Sequence, residues 1–148
     1  MEILRVSESD LPEVLPLMRA YCDFYAVNPS DDDLLSLSRA LIAHPERDGI
    51  QLLARDYGGR PIGFATVCWT WSTLRASMIG VMNDLFVVPD ARGTGVADAL
   101  IAECSNLCRA HGAQELSWQT AKDNHRAQAV YDRVGAVRSE WLDYSLRV

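Results

Sequence analysis

The chain has 148 residues, of which 49% are hydrophobic and 23% charged, and a formal net charge of −6. That length holds one domain with a sizeable core, so a single domain over 1–148 is expected. The sequence has no run of about 18 or more apolar residues and no basic block, which excludes a membrane-spanning helix and argues against nucleic acid as the main partner; the acidic surplus suits a cationic amine.

The opening MEILRVSESD lacks a basic region followed by a long apolar core, so a cytoplasmic location is expected. EILRVS then reads as a strand. SESDLPEVLPLMRAYCDFY reads as a helix started by Ser9 or Asp10, with Pro12 tolerated in the first turn, where its missing N–H costs nothing. NPSDDDLLSLSRALIAH starts a second helix, because Ser30 and the following aspartates suit the positive end of a helix dipole.

Residues 50–72 read as two strands around a turn at Gly58 and Gly59, since β-rich runs flank the Gly-Gly pair. MIGVMNDLFVVP is a further apolar strand stopped by Pro89. GVADALIAECSNLCRAHG follows as a helix ended by Gly112, whose residues Val96, Leu100, Ile101, Cys104, Leu107 and Cys108 share one face. ELSWQT supplies a strand, which makes 78–120 a strand–helix–strand unit with a right-handed crossover and two parallel strands. A last helix spans about Asn124 to Val134, and the alternation in WLDYSLR predicts a closing strand. The fold class is therefore α/β in a broad sense, with a mixed α+β sheet.

Cys22, Cys68, Cys104 and Cys108 contain no C-x-x-C pair, and His44, His111 and His125 have no ligand spacing, so neither a metal nor a redox dithiol is expected. The chemistry concentrates instead in ARGTGVA. Gly93 and Gly95 lack β-carbons, so a phosphate can approach the backbone while free amide groups at the helix start point at it and Arg92 offers a charged fork. A plain turn into a helix is the structural alternative. Two other phosphate motifs fail: no Gly-Lys-Ser or Gly-Lys-Thr is present, and a dinucleotide fingerprint read from Gly93 meets Asp98 at its last position.

The run Arg92, Gly93, Thr94, Gly95, Val96, Ala97 resembles the acyl-coenzyme A pyrophosphate loop of the GNAT superfamily of N-acetyltransferases. NDLFVVPDAR before it and DNHRAQAVYDRVGA after it resemble the flanking motifs of that family in order and spacing. The specific part of the likeness runs from Asn83 to Gly135, and its motifs are most similar to a subgroup acetylating polyamines, D-amino acids or histone-type lysines. The resemblance implies a GNAT fold: a mostly antiparallel sheet, one splayed parallel strand pair and about four helices. It implies acetyl-coenzyme A as co-substrate, a primary amine as acceptor, and a homodimer, with WLDYSLRV as the candidate contact. A non-catalytic acyl-coenzyme A sensor or binding module is the alternative from a different class.

On that resemblance the pantetheine arm enters the gap between the strand around 82–88 and LSWQT, where main-chain groups of Leu85, Phe86 and Val87 pair with it. An amide near Leu85 steadies negative charge on the acyl oxygen. Asn124 and Ala127 join the cofactor set, with Asn124 as a helix cap the alternative. Arg126 and Lys122 are candidates for phosphate contacts or simply solvated surface charge. Tyr131, two helical turns and about 10 Å along the axis from Asn124, is the candidate general acid.

The base is left open between two routes. The position that carries a glutamate in many relatives is Asn83 here, and Asp84 is the nearest carboxylate. Period-two alternation predicts that Asn83 and Asp84 face opposite sides of the sheet. Direct action by Asp84 and proton loss through water oriented by Asn83 or a carbonyl both fit. Tyr21, Tyr25, Trp69 and Trp71 are candidates for an aromatic wall against a cationic acceptor, with at least two of them expected to pack in the core.

Overall fold

The computed structural model describes residues 1–148. Its strands are β1 (Glu2–Arg5), β2 (Gly49–Arg55), β3 (Pro61–Ser72), β4 (Ser77–Val87) and β5 (Leu116–Ser117). Its helices are α1 (Leu11–Phe24), α2 (Asp31–Ala43), α3 (Val96–Ala110) and α4 (His125–Arg133). The five strands form one sheet in the order β1-β2-β3-β4-β5; successive neighbours are antiparallel except β4 and β5, which run parallel.

Of the caps anticipated from sequence, Ser30 bonds its helix, whereas the Asp10 side chain turns back to Ser7 and makes no cap bond to α1. Asp10 stands at the N-cap of α1 after a short 3-10 turn, and Ser30 Oγ accepts the Asp33 amide at 3.1 Å to open α2. Asp10 is also clamped from β2: Arg55 reaches Asp10 at 2.7 Å and Glu13 at 3.0 Å. Burial raises the Asp10 carboxyl, but its bonds to Ser7 and Arg55 outweigh this and hold it below its ordinary range. This clamp joins the first turn of α1 to the sheet.

Alternation along the strands divides the core in two. Leu53, Phe64 and Phe86 face α1 and α2, where they meet Val14, Leu17, Met18 and Leu34. Leu52, Ala65, Val67, Trp69, Met82 and Val87 face the other way, onto α3. All six apolar residues of the α3 stripe are buried there, including both of its cysteines. Burial pushes the Cys104 thiol up to about 12, so it stays a neutral packing group.

Two expectations are corrected. ELSWQT pairs only at Leu116 and Ser117, opposite Gly80 and Val81, and then leaves the sheet. The closing strand does not form: residues 136–148 join no ladder, and Trp141, Leu142, Tyr144 and Leu146 are exposed. A strand needs a partner edge, and two paired residues of β5 provide almost none.

Helix α3 lies close against β4 at Gly80. A β-carbon there would overlap the Cys108 sulfur and come within 3.1 Å of Val67. Gly80→Ala is therefore expected to destabilise the fold by about 1–3 kcal/mol through overpacking. In urea titrations, Cys108→Ala should recover part of that loss in the double variant, giving a coupling energy absent from either single change.

Candidate active site

The site begins with an irregularity in β4. Thr66 pairs with Asp84 but Val67 pairs with Met82, so Asn83 is an extra residue, a β-bulge. Before the bulge, Gly80 donates its amide to Glu115 O at 2.9 Å and Met78 O accepts from Gln114 at 3.0 Å, so even-numbered residues turn their main chain towards β5. After it the parity reverses. Val88 donates to Ile62 O at 3.0 Å on the β3 side, and with Phe86 paired to Phe64 the main-chain groups of Leu85 and Val87 point away from β3 into the gap. Phe86 therefore uses its own amide and carbonyl within the sheet and presents only its ring to the cleft, which corrects its expected main-chain role.

The bulge also corrects the facing of Asn83 and Asp84. Asn83 Nδ2 donates to Cys68 Sγ at 3.2 Å, and Asp84 stands opposite Thr66. Cys68 and Thr66 both lie on the α1/α2 face, so the two polar residues share a side.

Where β4 and β5 part, a cleft of about 370 Å³ opens. Leu85, Phe86, Val87, Arg92, Gly93, Gly95, Val96, Ala97, Asn124, Ala127 and Tyr131 all line it, as does Arg126; Lys122 does not. Gly93 has φ +80° and Gly95, the N-cap of α3, φ +90°, and nothing lies within 4 Å of where a β-carbon would stand on either. Positive φ is the reason for glycine here, and the open space is a cradle that a side chain would fill. Arg92 Nε donates to Val87 O at 2.9 Å, with its guanidinium carbon 5.9 Å from the Phe86 ring centre, so the side chain is braced across the cleft. Thr94 departs from the expected set: its hydroxyl donates to Ala91 O at 2.7 Å, bracing the turn, and it does not line the cleft.

Helix α4 forms the opposite wall. Asn124 Oδ1 caps it by accepting the Ala127 amide at 3.2 Å, which leaves the side-chain NH₂ for a ligand. Arg133 grips Asp98 of α3 with bonds of 2.9 and 2.7 Å, tying the two walls together. Tyr131 stands edge-on to Trp118, 5.3 Å between ring centres, just past the last paired residue of β5. Burial raises its phenol, the Tyr25 charge adds to this and the Thr120 hydroxyl opposes it, so Tyr131 remains protonated at neutral pH.

Tyr21 and Tyr25 project from α1 onto the same cleft, 5.1 Å apart and edge to face. Tyr21 OH donates to Asn83 O at 3.3 Å. Its phenol is raised chiefly by burial, then by the charges of Asp84, Tyr25 and Tyr131. Asp84 itself does not line the cleft. Burial raises its carboxyl from its ordinary value, with the Thr66 and Tyr21 hydroxyls partly offsetting that.

Neither tryptophan belongs to the aromatic wall. Trp69 is buried and stacked on His111, 4.2 Å between ring centres, and donates its indole N–H to Pro45 O at 2.8 Å. Trp71 is exposed at the far end of β3 from the bulge and lines no part of the cleft. Tyr21 packs on Phe64 and Phe86, so core packing takes Trp69 wholly and Tyr21 in part. Phe24 and Thr66 were not singled out from sequence. Phe24 lies three residues after Tyr21, a same-face spacing that signals it; Thr66 is a threonine within an apolar strand, and only pairing reveals its neighbour.

A sheet splayed beside a glycine-rich helix start defines an acyl-coenzyme A-type transferase fold. The acetyltransferase (GNAT) family model matches residues 14–136, and the chain belongs to that family. It is 31% identical over 135 residues to the uncharacterized N-acetyltransferase YhfO of Bacillus subtilis (strain 168), covering 91% of this chain and 89% of that protein. It is 28% identical to the acetyltransferase YE1169 of Yersinia enterocolitica, over 90% and 86% of the two chains. Among solved structures, a probable acetyltransferase superposes with a TM-score of 0.85 at 26% identity, over 100% of this chain and 98% of the other. The aminoglycoside N-acetyltransferase AAC(6')-Iy, solved with a bisubstrate analogue, shares the fold with a TM-score of 0.85 at 21% identity, over 99% and 97% of the chains.

Gly93→Val and Gly95→Val place a branched side chain in the cradle and in a backbone region that valine avoids. Each is expected to weaken coenzyme A binding at least about tenfold by calorimetry, close to 1.4 kcal/mol. Melting curves without ligand report any separate effect on the fold.

Proposed function

We propose that the protein transfers the acetyl group of acetyl-coenzyme A to a primary amine: a small amine, a polyamine, an amino acid or a lysine side chain. Acetyl-coenzyme A supplies the activated thioester. The observation that carries this reading is the open edge of β4 beside the glycine cradle at the start of α3, with Tyr131 and Tyr21 on the wall of the same cleft. The amides at Gly93–Ala97 would hold the diphosphate, Asn124, the Leu85 main chain and the Val87 amide would hold the arm, and the Leu85 amide would steady negative charge on the acyl oxygen.

An alkyl amine with a reference pKa near 10.4 arrives as an ammonium and must lose a proton. Asp84 does not line the cleft, so it accepts the proton through water, and its raised carboxyl is better matched to that task than an ordinary aspartate. Tyr131 delivers a proton to the departing sulfur. Tyr21, Phe24 and Tyr25 offer aromatic faces at the cleft mouth, which attract a cationic acceptor.

With acetyl-coenzyme A and a panel of amines, release of free thiol identifies the acceptor. Tyr131→Phe is expected to lower kcat by about two orders of magnitude while leaving coenzyme A affinity in place; wild-type turnover in this variant removes the acid assignment.

Asp84→Asn is expected to lower kcat/KM and also to stabilise the protein at neutral pH. Because its folded pKa lies above the unfolded value of about 3.9, the folded state holds the proton longer, and stability falls as pH rises from that value through the folded one. Removing the carboxylate should raise Tm at pH 7, with the gain vanishing at about pH 3, where the carboxyl is protonated in both states.

A further inference from the structure

Between α2 and the bulge runs a line of polar side chains in an otherwise apolar layer. Ser38 on α2, Gln51 on β2 and Thr66 on β3 are 0%, 3% and 1% exposed. Ser38 Oγ donates to Gln51 Oε1 at 2.8 Å, and Gln51 Nε2 donates to Thr66 Oγ1 at 3.3 Å. The Met18 sulfur lies beside the first two, 3.5 Å from Ser38 Oγ and 3.6 Å from Gln51 Nε2. Thr66 is the register partner of Asp84.

The Thr66 hydroxyl stands across from the Asp84 carboxyl and lowers its titration, so its proton is assigned to that group, and the Thr66 oxygen then accepts from Gln51. Gln51 meets both demands because an amide carries a donor and an acceptor: its N–H₂ goes to Thr66 and its carbonyl takes the Ser38 proton. Glutamate would lack the donor and leucine both groups.

The surroundings of Asp84 make this donor matter. From α1 it is faced by Tyr21, with Tyr25 beyond; from β3 by Thr66 and Cys68; from its own strand by Asn83; and from α4 by Tyr131, through Tyr21. None of these is a cation. Hydroxyl donors are thus what favours the ionised carboxylate against its burial.

We infer that Ser38, Gln51 and Thr66 form a positioning chain for Asp84, fixing the Thr66 hydroxyl as a donor to its carboxylate and so keeping that group in proton-accepting form. The functional meaning of the chain rests on the reading of Asp84 as the base. A polar network that served only to fix strand register would leave the Asp84 titration untouched.

The test is a ¹³C NMR titration of side-chain carboxyls in the full-length protein without ligand, with Asp84 assigned by its loss in Asp84→Asn. Thr66→Val is expected to raise the Asp84 midpoint by about one pH unit, and Thr66→Ser, which keeps the hydroxyl, to restore it. Gln51→Met, close in shape and one strand further away, should shift it in the same direction by less. An unchanged midpoint in whichever of Thr66→Val and Gln51→Met keeps a wild-type melting transition overturns the inference. The titration needs neither acceptor nor turnover, so a fully active Asp84→Asn would defeat the base assignment separately, whatever the midpoints do.

Discussion

The extra residue in β4 is the constraint from which the site follows. Up to Val81 the strand is paired on both sides; beyond Met82 the added Asn83 reverses which main-chain groups face which way, and pairing continues only with β3. The unpaired stretch of β4 thereby gains an edge at which the Leu85 main chain and the Val87 amide face the cleft, while the Val87 carbonyl is taken by Arg92. Such an edge in a sheet interior would ordinarily be a liability, because unmet donors and acceptors recruit any extended chain. Here α3 and α4 wall it on either side, so it is reachable only through the cleft.

Holding that edge in place depends on the two cores. The six-residue stripe of α3 sets its axis against β3 and β4, and this carries the N-terminus of α3, with both left-handed glycines, to the end of the unpaired strand. Helix α4 has no buried residue. Its position comes from the Arg133–Asp98 pair and from Val130 and Tyr131 leaning on the α3-side core. The site therefore has one firm wall and one lightly held wall, an arrangement that suits a cleft which must admit a long ligand.

Local chemistry made the first half of this legible in the sequence. The α3 stripe, the Ser30 cap and the Gly-Gly turn all depend on residues within a few positions of one another, and their reading matched the structure; Gly93 and Gly95 likewise stand at the start of α3 with positive φ. What depended on partners did not show. WLDYSLR has the alternation of a strand but no edge to join, and ELSWQT ends after two paired residues because its neighbour bends away. Strict alternation separated Asn83 from Asp84, yet a single inserted residue, visible only when β3 is laid alongside, returns them to one face. Trp69 and Trp71 carry the right chemistry for an acceptor wall, but Trp69 is turned into the α3-side core against His111 and Trp71 lies exposed near the end of β3.

One physical cause serves both proton transfers in the proposed reaction. Apolar walls withdraw water from Asp84 and from Tyr131, and loss of water disfavours the charged form of each. For the carboxyl this strengthens a weak base, moving it towards the pH at which it must collect a proton. For the phenol it keeps a proton in place until a thiolate needs one. A cation near Asp84 would undo the first effect, and none stands there. Hydroxyls instead moderate it, which allows the carboxylate to remain ionised without the deep stabilisation that an arginine partner would impose.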